Sequence, residues 1–253
     1  GLLKDRGSLV GDRPFRSPHH SASGPSLVGG GSFPRPGEIS LAHRGILFLD
    51  ELTEFKRDVL EFLRQPLEDG YVTISRTRQS VMFPAQFTLV ASTNPCACGY
   101  YGDSIQQCTC SPQKREQYWA KLSGPLMDRI DLQVAVNRLK PEEITRQPTG
   151  EESEPVRVRV QRARAIATDR FKSESSLRCN AEMQSSHINQ WCQLDDASRN
   201  LLEMAIRKLG LSARASDRIL KVARTIADLS GDESLKTNHV GEAVQYRTID
   251  RMQ

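Results

Sequence analysis

Gly45-Ile46-Leu47-Phe48-Leu49-Asp50-Glu51 sets the architecture of this 253-residue chain. Four consecutive apolar residues followed by an acidic pair form the pattern of a parallel strand buried on both faces. Such a strand delivers two carboxylates to a crevice at its carboxyl end. The plainer reading is a buried strand that ends in acids by chance. A second buried strand, Phe87-Thr88-Leu89-Val90-Ala91, runs into Ser92-Thr93-Asn94-Pro95. Leu126 to Val136 carries Asp128-Arg129-Ile130-Asp131 into a third apolar strand.

Around these strands the chain divides by composition. Residues 1–37 are rich in Gly, Pro and Ser and include Arg13-Pro14-Phe15-Arg16-Ser17-Pro18-His19-His20, which reads as ordered loop or hairpin rather than helix. After the acidic pair, Thr53 is a plausible N-cap for a helix carrying Phe55, Val59, Leu63 and Leu67 at four-residue spacing. Pro66 is expected to kink that helix near its end, and Gly70 to stop it. Tyr71 to Phe83 alternates as a hairpin with Arg76-Thr77-Arg78-Gln79 at its tip. Residues 96–121 form an insertion with four cysteines, and the polar run 141–154 reads as linker. Beyond it the apolar positions recur at helical spacing: Val156, Val160, Ala163, Ala167 and Phe171; Leu201, Leu202, Ala205, Ile206 and Leu209; Ile219, Leu220, Val222, Ala223, Ile226 and Ala227; and a short fourth face of Val240, Ala243 and Val244. The reading is an α/β core over 1–138, a linker over 139–155 and a helical domain over 156–253.

Bulk properties exclude little but do so cleanly. A net charge of +4 permits nucleic-acid contact without demanding it. No apolar run approaches bilayer length and no signal-peptide pattern is present, so the chain reads as soluble and cytoplasmic with no membrane partner. Six cysteines are too sparse for a disulfide scaffold of this size. Four of them cluster. Cys96-x-Cys98 and Cys108-x-Cys110 are two C-x-C pairs separated by nine residues. Four thiolates closing on one ion match the tetrahedral arrangement of structural zinc. Free or regulatory thiols are the alternative, while Cys179 and Cys192 read as packing residues.

In P-loop NTPases an apolar strand ending in Asp-Glu is the Walker B element, which holds Mg²⁺ beside the nucleotide phosphates. Its partner, G-x-x-x-x-G-K-[ST], is absent from this sequence, and the Gly29-Gly30-Gly31 cluster has no Lys-Ser/Thr after it. The chain opens without Met, so the expectation is a fragment whose phosphate loop lies upstream and which does not hydrolyse ATP efficiently by itself.

The order of these motifs, ending with Ser212-Ala213-Arg214, resembles the AAA+ ATPases. More narrowly it resembles the magnesium-chelatase-like branch and its competence-associated members. The carrying stretches are Arg-Pro-Phe-Arg-Ser-Pro-His-His at 13–20, Ala-His-Arg-Gly-Ile-Leu-Phe-Leu-Asp-Glu at 42–51, Asn-Pro-Cys-Ala-Cys-Gly-Tyr-Tyr-Gly-Asp at 94–103, and Ala-Arg-Ala-Ser-Asp-Arg-Ile-Leu-Lys-Val-Ala-Arg from 213. The resemblance covers essentially the whole chain. It implies an incomplete AAA+ P-loop core with a parallel sheet, followed by an all-α lid. It further implies Asp50 as the Mg²⁺ ligand, Glu51 as general base on water, Asn94 as the polar sensor, Arg129 as an arginine finger reaching a neighbouring subunit, and Arg214 as the lid sensor. The alternative for both arginines is a surface ion pair, and Arg218 competes for the lid role. Arg76 and Arg78 would grip DNA phosphates from a pore hairpin, or be a solvated turn. His19 and His20 read as loop anchors or pore contacts.

What the resemblance implies for the whole protein is a ring, a hexamer, that uses ATP and Mg²⁺ to remodel DNA by helicase or branch-migration work of the natural-transformation type. Two other functions fit parts of the sequence. One is a chelatase-type ATPase driving Mg²⁺ into a porphyrin. The other is a nucleotide-independent zinc and DNA-binding module.

Overall fold

The computed structural model describes residues 11–31, 33–76, 79–139, 141–145, 150–174 and 177–247. They form two compact units divided between Ile130 and Asp131. The first is an α/β core with a parallel sheet and the second is all helix, as expected of a partial AAA+ core and its helical domain.

In the first unit the elements run β1 (Phe15–Arg16), α1 (Gly24–Val28), β2 (Gly29–Gly30), β3 (Arg35–Pro36), α2 (Glu38–Leu41), β4 (Ile46–Leu49), α3 (Arg57–Glu61), α4 (Arg64–Asp69), β5 (Tyr71–Arg76), β6 (Gln79–Pro84), β7 (Thr88–Ala91), α5 (Pro112–Trp119) and α6 (Gly124–Met127). Strands β1, β4 and β7 form the parallel sheet in that order, with Phe15 beside Ile46 and Leu49 beside Ala91. Hence the segment read as loop or hairpin contributes the expected hairpin, β2–β3, and also a strand of the parallel sheet. It also contributes α1, whose start is signalled by Ser23 and Pro25: the Ser23 hydroxyl accepts from the Ser26 amide at 3.3 Å, and proline suits the first helical turn.

Glycine 45 makes β1 possible. A β-carbon there would lie 1.9 Å from the Pro14 carbonyl oxygen, which accepts from the Ile46 amide at 2.9 Å. Only a residue without a side chain lets the two backbones approach this closely.

The expectation that β4 is buried on both faces holds for one. Leu47 and Leu49 point into a core with Leu27, Ile39, Phe55, Leu60, Leu63, Ile74 and Leu126. On the opposite face Phe15, Ile46 and Val90 are 62%, 37% and 41% exposed, and Phe15 stacks on Phe48 with ring centroids 6.2 Å apart. Among the described residues, helices cover only the Leu47 side.

The single helix expected after the acidic pair is broken. A 3-10 turn over Leu52–Glu54 precedes α3 and α4. Thr53 lies inside that turn, fully buried, and is not a cap. Pro66 falls in the first turn of α4, where its missing N–H and its ring stop α3 from running on through residue 62. Gly70 does stop α4, in the left-handed conformation at φ 75. Strands β5 and β6 pair in antiparallel register from Tyr71↔Pro84 to Arg76↔Gln79, so the alternating segment is the expected hairpin.

The second unit holds α7 (Pro141–Thr145), α8 (Ser153–Arg170), α9 (Ser185–Trp191), α10 (Asp196–Leu209), α11 (Ala213–Ser230) and α12 (Thr237–Gln245). Residues 131–139 form no strand. Leu132, Val134 and Val136 are exposed, and the Gln133 amide donates to the Tyr246 carbonyl at 2.9 Å instead of entering a ladder. The core gathers Ala167, Phe171, Leu202, Ile219, Ala223, Ala227 and Val240. The apolar stripe of α8 is buried only from Ala163 onward; Val158 and Val160 face water. At the centre, Arg224 and Asp228 are 2% and 1% exposed and pair within α11. Arg170 adds an ion pair to Asp228, and the Asn180 amide donates to it at 2.8 Å. Every charge is thus met, which burial of ions requires. No helix among the described residues is long and apolar enough to cross a membrane.

Candidate functional site

Because β1, β4 and β7 are parallel, their carboxyl ends meet at one edge, the place where open α/β sheets bind ligands. The register that sets Leu49 beside Ala91 sets Asp50 beside Ser92. The Ser92 hydroxyl donates to Asp50 Oδ1, and the Glu51 amide donates to the same oxygen at 3.1 Å. Asp50 is therefore fixed from two sides while its residue stays exposed.

Glu51 has φ 52 and ψ 52, the left-handed conformation, in which a residue with a β-carbon is strained. The turn sends the chain into Leu52–Glu54, where the Leu52 amide donates to the Ser92 carbonyl at 2.8 Å and the Thr53 hydroxyl lies 3.2 Å from that of Thr93. Thr53 thus ties the end of β4 to the end of β7. From the loop after β1, His20 Nδ1 lies 3.5 Å from Glu51 Oε2, with the His19 ring tilted against His20 at 4.0 Å and Phe55 set edge-on to it. The loop after β1 therefore meets the acidic pair through His20.

Asn94 follows at the same edge and is exposed. Arg129 lies elsewhere. Its side chain is 9% exposed, ion-paired to Glu68 of α4 and donating to the Pro125 carbonyl at 2.6 Å. In the second unit Arg214 is exposed in the first turn of α11, whereas Arg218 donates to Asp131 at 2.6 Å. Asp131 belongs to the 128–131 motif. Arg76 ends β5; Arg78 lies outside the described residues.

The oxygen donors at the edge suit Mg²⁺. A carboxylate, a serine hydroxyl and a threonine hydroxyl are hard ligands on an exposed strand end, and the exposed carboxylate leaves room for the waters that Mg²⁺ retains.

Past Asn94 the chain enters the four-cysteine insertion. The thiols of Cys96, Cys98, Cys108 and Cys110 all lie within 4.8 Å of one another, so the cluster could hold a metal ion. Cys96 Sγ is 3.4 Å from Cys98 Sγ and 3.7 Å from Cys108 Sγ. Ligands about 2.3 Å from a tetrahedral zinc stand roughly 3.8 Å apart, so the spacing fits that ion. Backbone amides of Tyr100 and Thr109 pull the Cys98 thiol down to about 5, while burial and the facing Cys98 push Cys110 up to about 11. A zinc ion at the centre would let all four ionise together. Helix α5 braces the insertion: Arg115 donates to the Cys110 carbonyl at 2.7 Å and packs on Tyr101, and the Trp119 indole donates to the Pro95 carbonyl at 3.0 Å.

Sequence reasoning missed Ser92, Thr53 and the His20–Glu51 approach. The first was available from strand register, since equal strand ends put 50 and 92 side by side.

Comparison with known proteins agrees with this geometry. Residues 2–144 match the family model of magnesium chelatase, subunit ChlI, and residues 150–247 match that of the ChlI C-terminal part. The competence protein ComM of Haemophilus influenzae is 48% identical over 241 residues, 95% of this chain and 46% of that protein. The uncharacterized protein YifB of Escherichia coli is 46% identical over the same shares. A magnesium-chelatase subunit ChlI of Pyropia yezoensis is 23% identical over 217 residues, 83% of this chain and 52% of that protein. The chain spans about half the length of the relatives it matches.

Proposed function

This chain belongs to the magnesium-chelatase ChlI family, and from that premise we propose that it supplies the water-activating edge and the lid of a ring-forming AAA+ ATPase that remodels DNA. The observation that carries the ATPase reading is the strand-end pair: Asp50 pinned by the Ser92 hydroxyl and the Glu51 amide, and Glu51 held in a strained backbone conformation beside it. Strain of this kind gathers at active sites.

In this reading Asp50 holds Mg²⁺, and Mg²⁺–ATP supplies the phosphoryl group together with neutralisation of its charge. Glu51 accepts a proton from the attacking water. His20 restricts where the Glu51 carboxylate can lie. Asn94, uncharged, orients water without competing for that proton. Arg129, now held by Glu68, is the cation a neighbouring subunit's site would use, and Arg214 reports lid position. Self-association into a ring, with a hexamer as the expected size, follows from placing Arg129 in trans. Zinc in the Cys96, Cys98, Cys108 and Cys110 cluster would fix the loop that follows Asn94 and would take no part in the reaction.

DNA as the substrate is favoured by 48% identity to a competence protein against 23% to a chelatase subunit. The hairpin bearing Arg76 and Arg78 adds a basic element suited to phosphates. A chelatase-type ATPase is the second reading, favoured by the family model itself. The ATPase rate of the full-length protein, measured with and without single-stranded and branched DNA, separates them. Strong stimulation by DNA supports the motor; robust turnover indifferent to DNA removes it and leaves the chelatase-type reading.

A further inference from the structure

A second hairpin stands beside the basic one. Strands β2 and β3 pair through Gly29↔Pro36 and Gly30↔Arg35, and their connection carries Phe33. Phe33 is 82% exposed, more than any other aromatic side chain among the described residues. Arg35 is also exposed and forms no ion pair among the described residues.

The base of this hairpin is held tightly. A β-carbon on Gly29 would lie 2.2 Å from the Arg35 carbonyl oxygen, and one on Gly37 would lie 2.4 Å from both the Gly29 nitrogen and the Leu27 carbonyl oxygen. Gly29 and Gly31 sit at φ 105 and 99, where side chains are strained. The Gly29 position also comes within 2.9 Å of Ile74 Cδ1, a residue of β5 two positions before Arg76. The two hairpins therefore share a root.

A scattered exposed aromatic would need no explanation. This one is presented by a hairpin with a tightly packed base, two residues before a cation that forms no ion pair among the described residues. An aromatic face beside a guanidinium is the pairing that unpaired nucleic acid uses, with the base stacked on the ring and the phosphate on the charge. An acidic protein segment would satisfy Arg35 but would leave the ring without a flat partner.

We propose that Phe33 is a stacking platform for an unpaired DNA base and that Arg35 meets the flanking phosphate. This rests on the DNA reading above and names where the strand is held.

The test uses the full-length protein and a fluorescein-labelled oligothymidylate, with affinity measured across a salt series. Phe33→Ala and Phe33→Leu should each weaken binding about tenfold, the worth of one base stack, with the salt slope unchanged. Phe33→Trp should keep wild-type affinity. Arg35→Ala should weaken binding and reduce the slope of log affinity against log salt by about 0.7, one phosphate contact on a single strand. Wild-type binding with Phe33→Ala inside twofold of it overturns the platform and leaves the DNA motor standing. Full rescue by Phe33→Leu overturns stacking in favour of simple apolar contact. A wild type that binds no DNA, single-stranded or branched, overturns both this inference and the reading beneath it. Binding of an acidic peptide that depends on Phe33, with oligothymidylate affinity unaffected, makes the hairpin a protein contact.

Discussion

Glu51 and Asp50 show how much chemistry a strand end can organise with few atoms. Asp50 Oδ1 takes two hydrogen bonds, and Glu51 turns the chain at φ 52. Replacing Glu51 by Gln keeps shape and backbone preference while removing the basic oxygen. Glu51→Gln should cut turnover of the full-length protein by at least about a hundredfold, the lower range for general base catalysis, with ATP binding retained and melting temperature within a degree or two. Steady-state hydrolysis alongside nucleotide titration checks this; unchanged turnover removes Glu51 as the base. At this scale the acids were legible because an apolar run must end somewhere and these acids end it. His20 was not, since it acts across a strand boundary that no local pattern writes, and Ser92 could be reached only by matching the ends of β4 and β7. Thr53 was misread for the same reason. As a residue before an apolar repeat it looks like a cap, yet its hydroxyl is spent on Thr93, 40 positions away.

Elements repeat that division between local and distant causes. The β5–β6 hairpin and the stop at Gly70 were readable, because alternation and a left-handed glycine are local signals. The break between α3 and α4 was blurred by a four-residue apolar spacing that continues through it, and β1 was hidden in a proline-rich segment. Gly45 is the hinge of that hidden strand, with Pro14 oxygen at 1.9 Å from where a β-carbon would stand. Gly45→Ala should destabilise the first unit by about 1–3 kcal/mol through overpacking and move the His19-His20 loop away from Glu51, so that denaturation midpoint and turnover fall together. An alanine variant of wild-type stability would show that β1 gives way without cost. The cysteine insertion makes a separate forecast. Purified protein should contain close to one zinc per chain by elemental analysis, consistent with four thiols inside 4.8 Å, and the paired change Cys96→Ser with Cys98→Ser should abolish it. Metal-free wild type from a zinc-replete preparation would return the cluster to free thiols.

Across the whole molecule, the α/β-then-helical order was legible from the change in apolar period, but the charged centre of the helical unit was not. Arg224 and Asp228 stand four apart, like an ordinary solvated pair on a helix, and only tertiary packing reveals them at 2% and 1% exposure. Asp228→Ala leaves Arg224 and Arg170 facing each other in the interior and should cost about 3–5 kcal/mol in urea unfolding, well beyond a surface pair. A loss below 1 kcal/mol would mean that water or rearrangement meets those charges. At the level of assembly, Arg129 and Glu51 offer a mixing experiment. If the arginine acts on a neighbour's site, full-length Arg129→Ala and Glu51→Gln, each inactive alone, should regain part of the wild-type ATPase rate when co-assembled. No recovery in rings verified to be mixed would place Arg129 in its own subunit's structure, held by Glu68 as seen here.

The left-handed turn at Glu51 also bears on how such a sequence would age. Asparagine and glycine occupy that conformation more readily than glutamate, which holds it against a cost of about 1 kcal/mol. Under the proposed role of Glu51, selection for hydrolysis would keep that burden in place generation after generation. In descendants that had dispensed with hydrolysis, position 51 would be among the first to drift toward Asn or Gly, and the drift would raise stability, leaving a readable scar of lost activity in an otherwise intact strand.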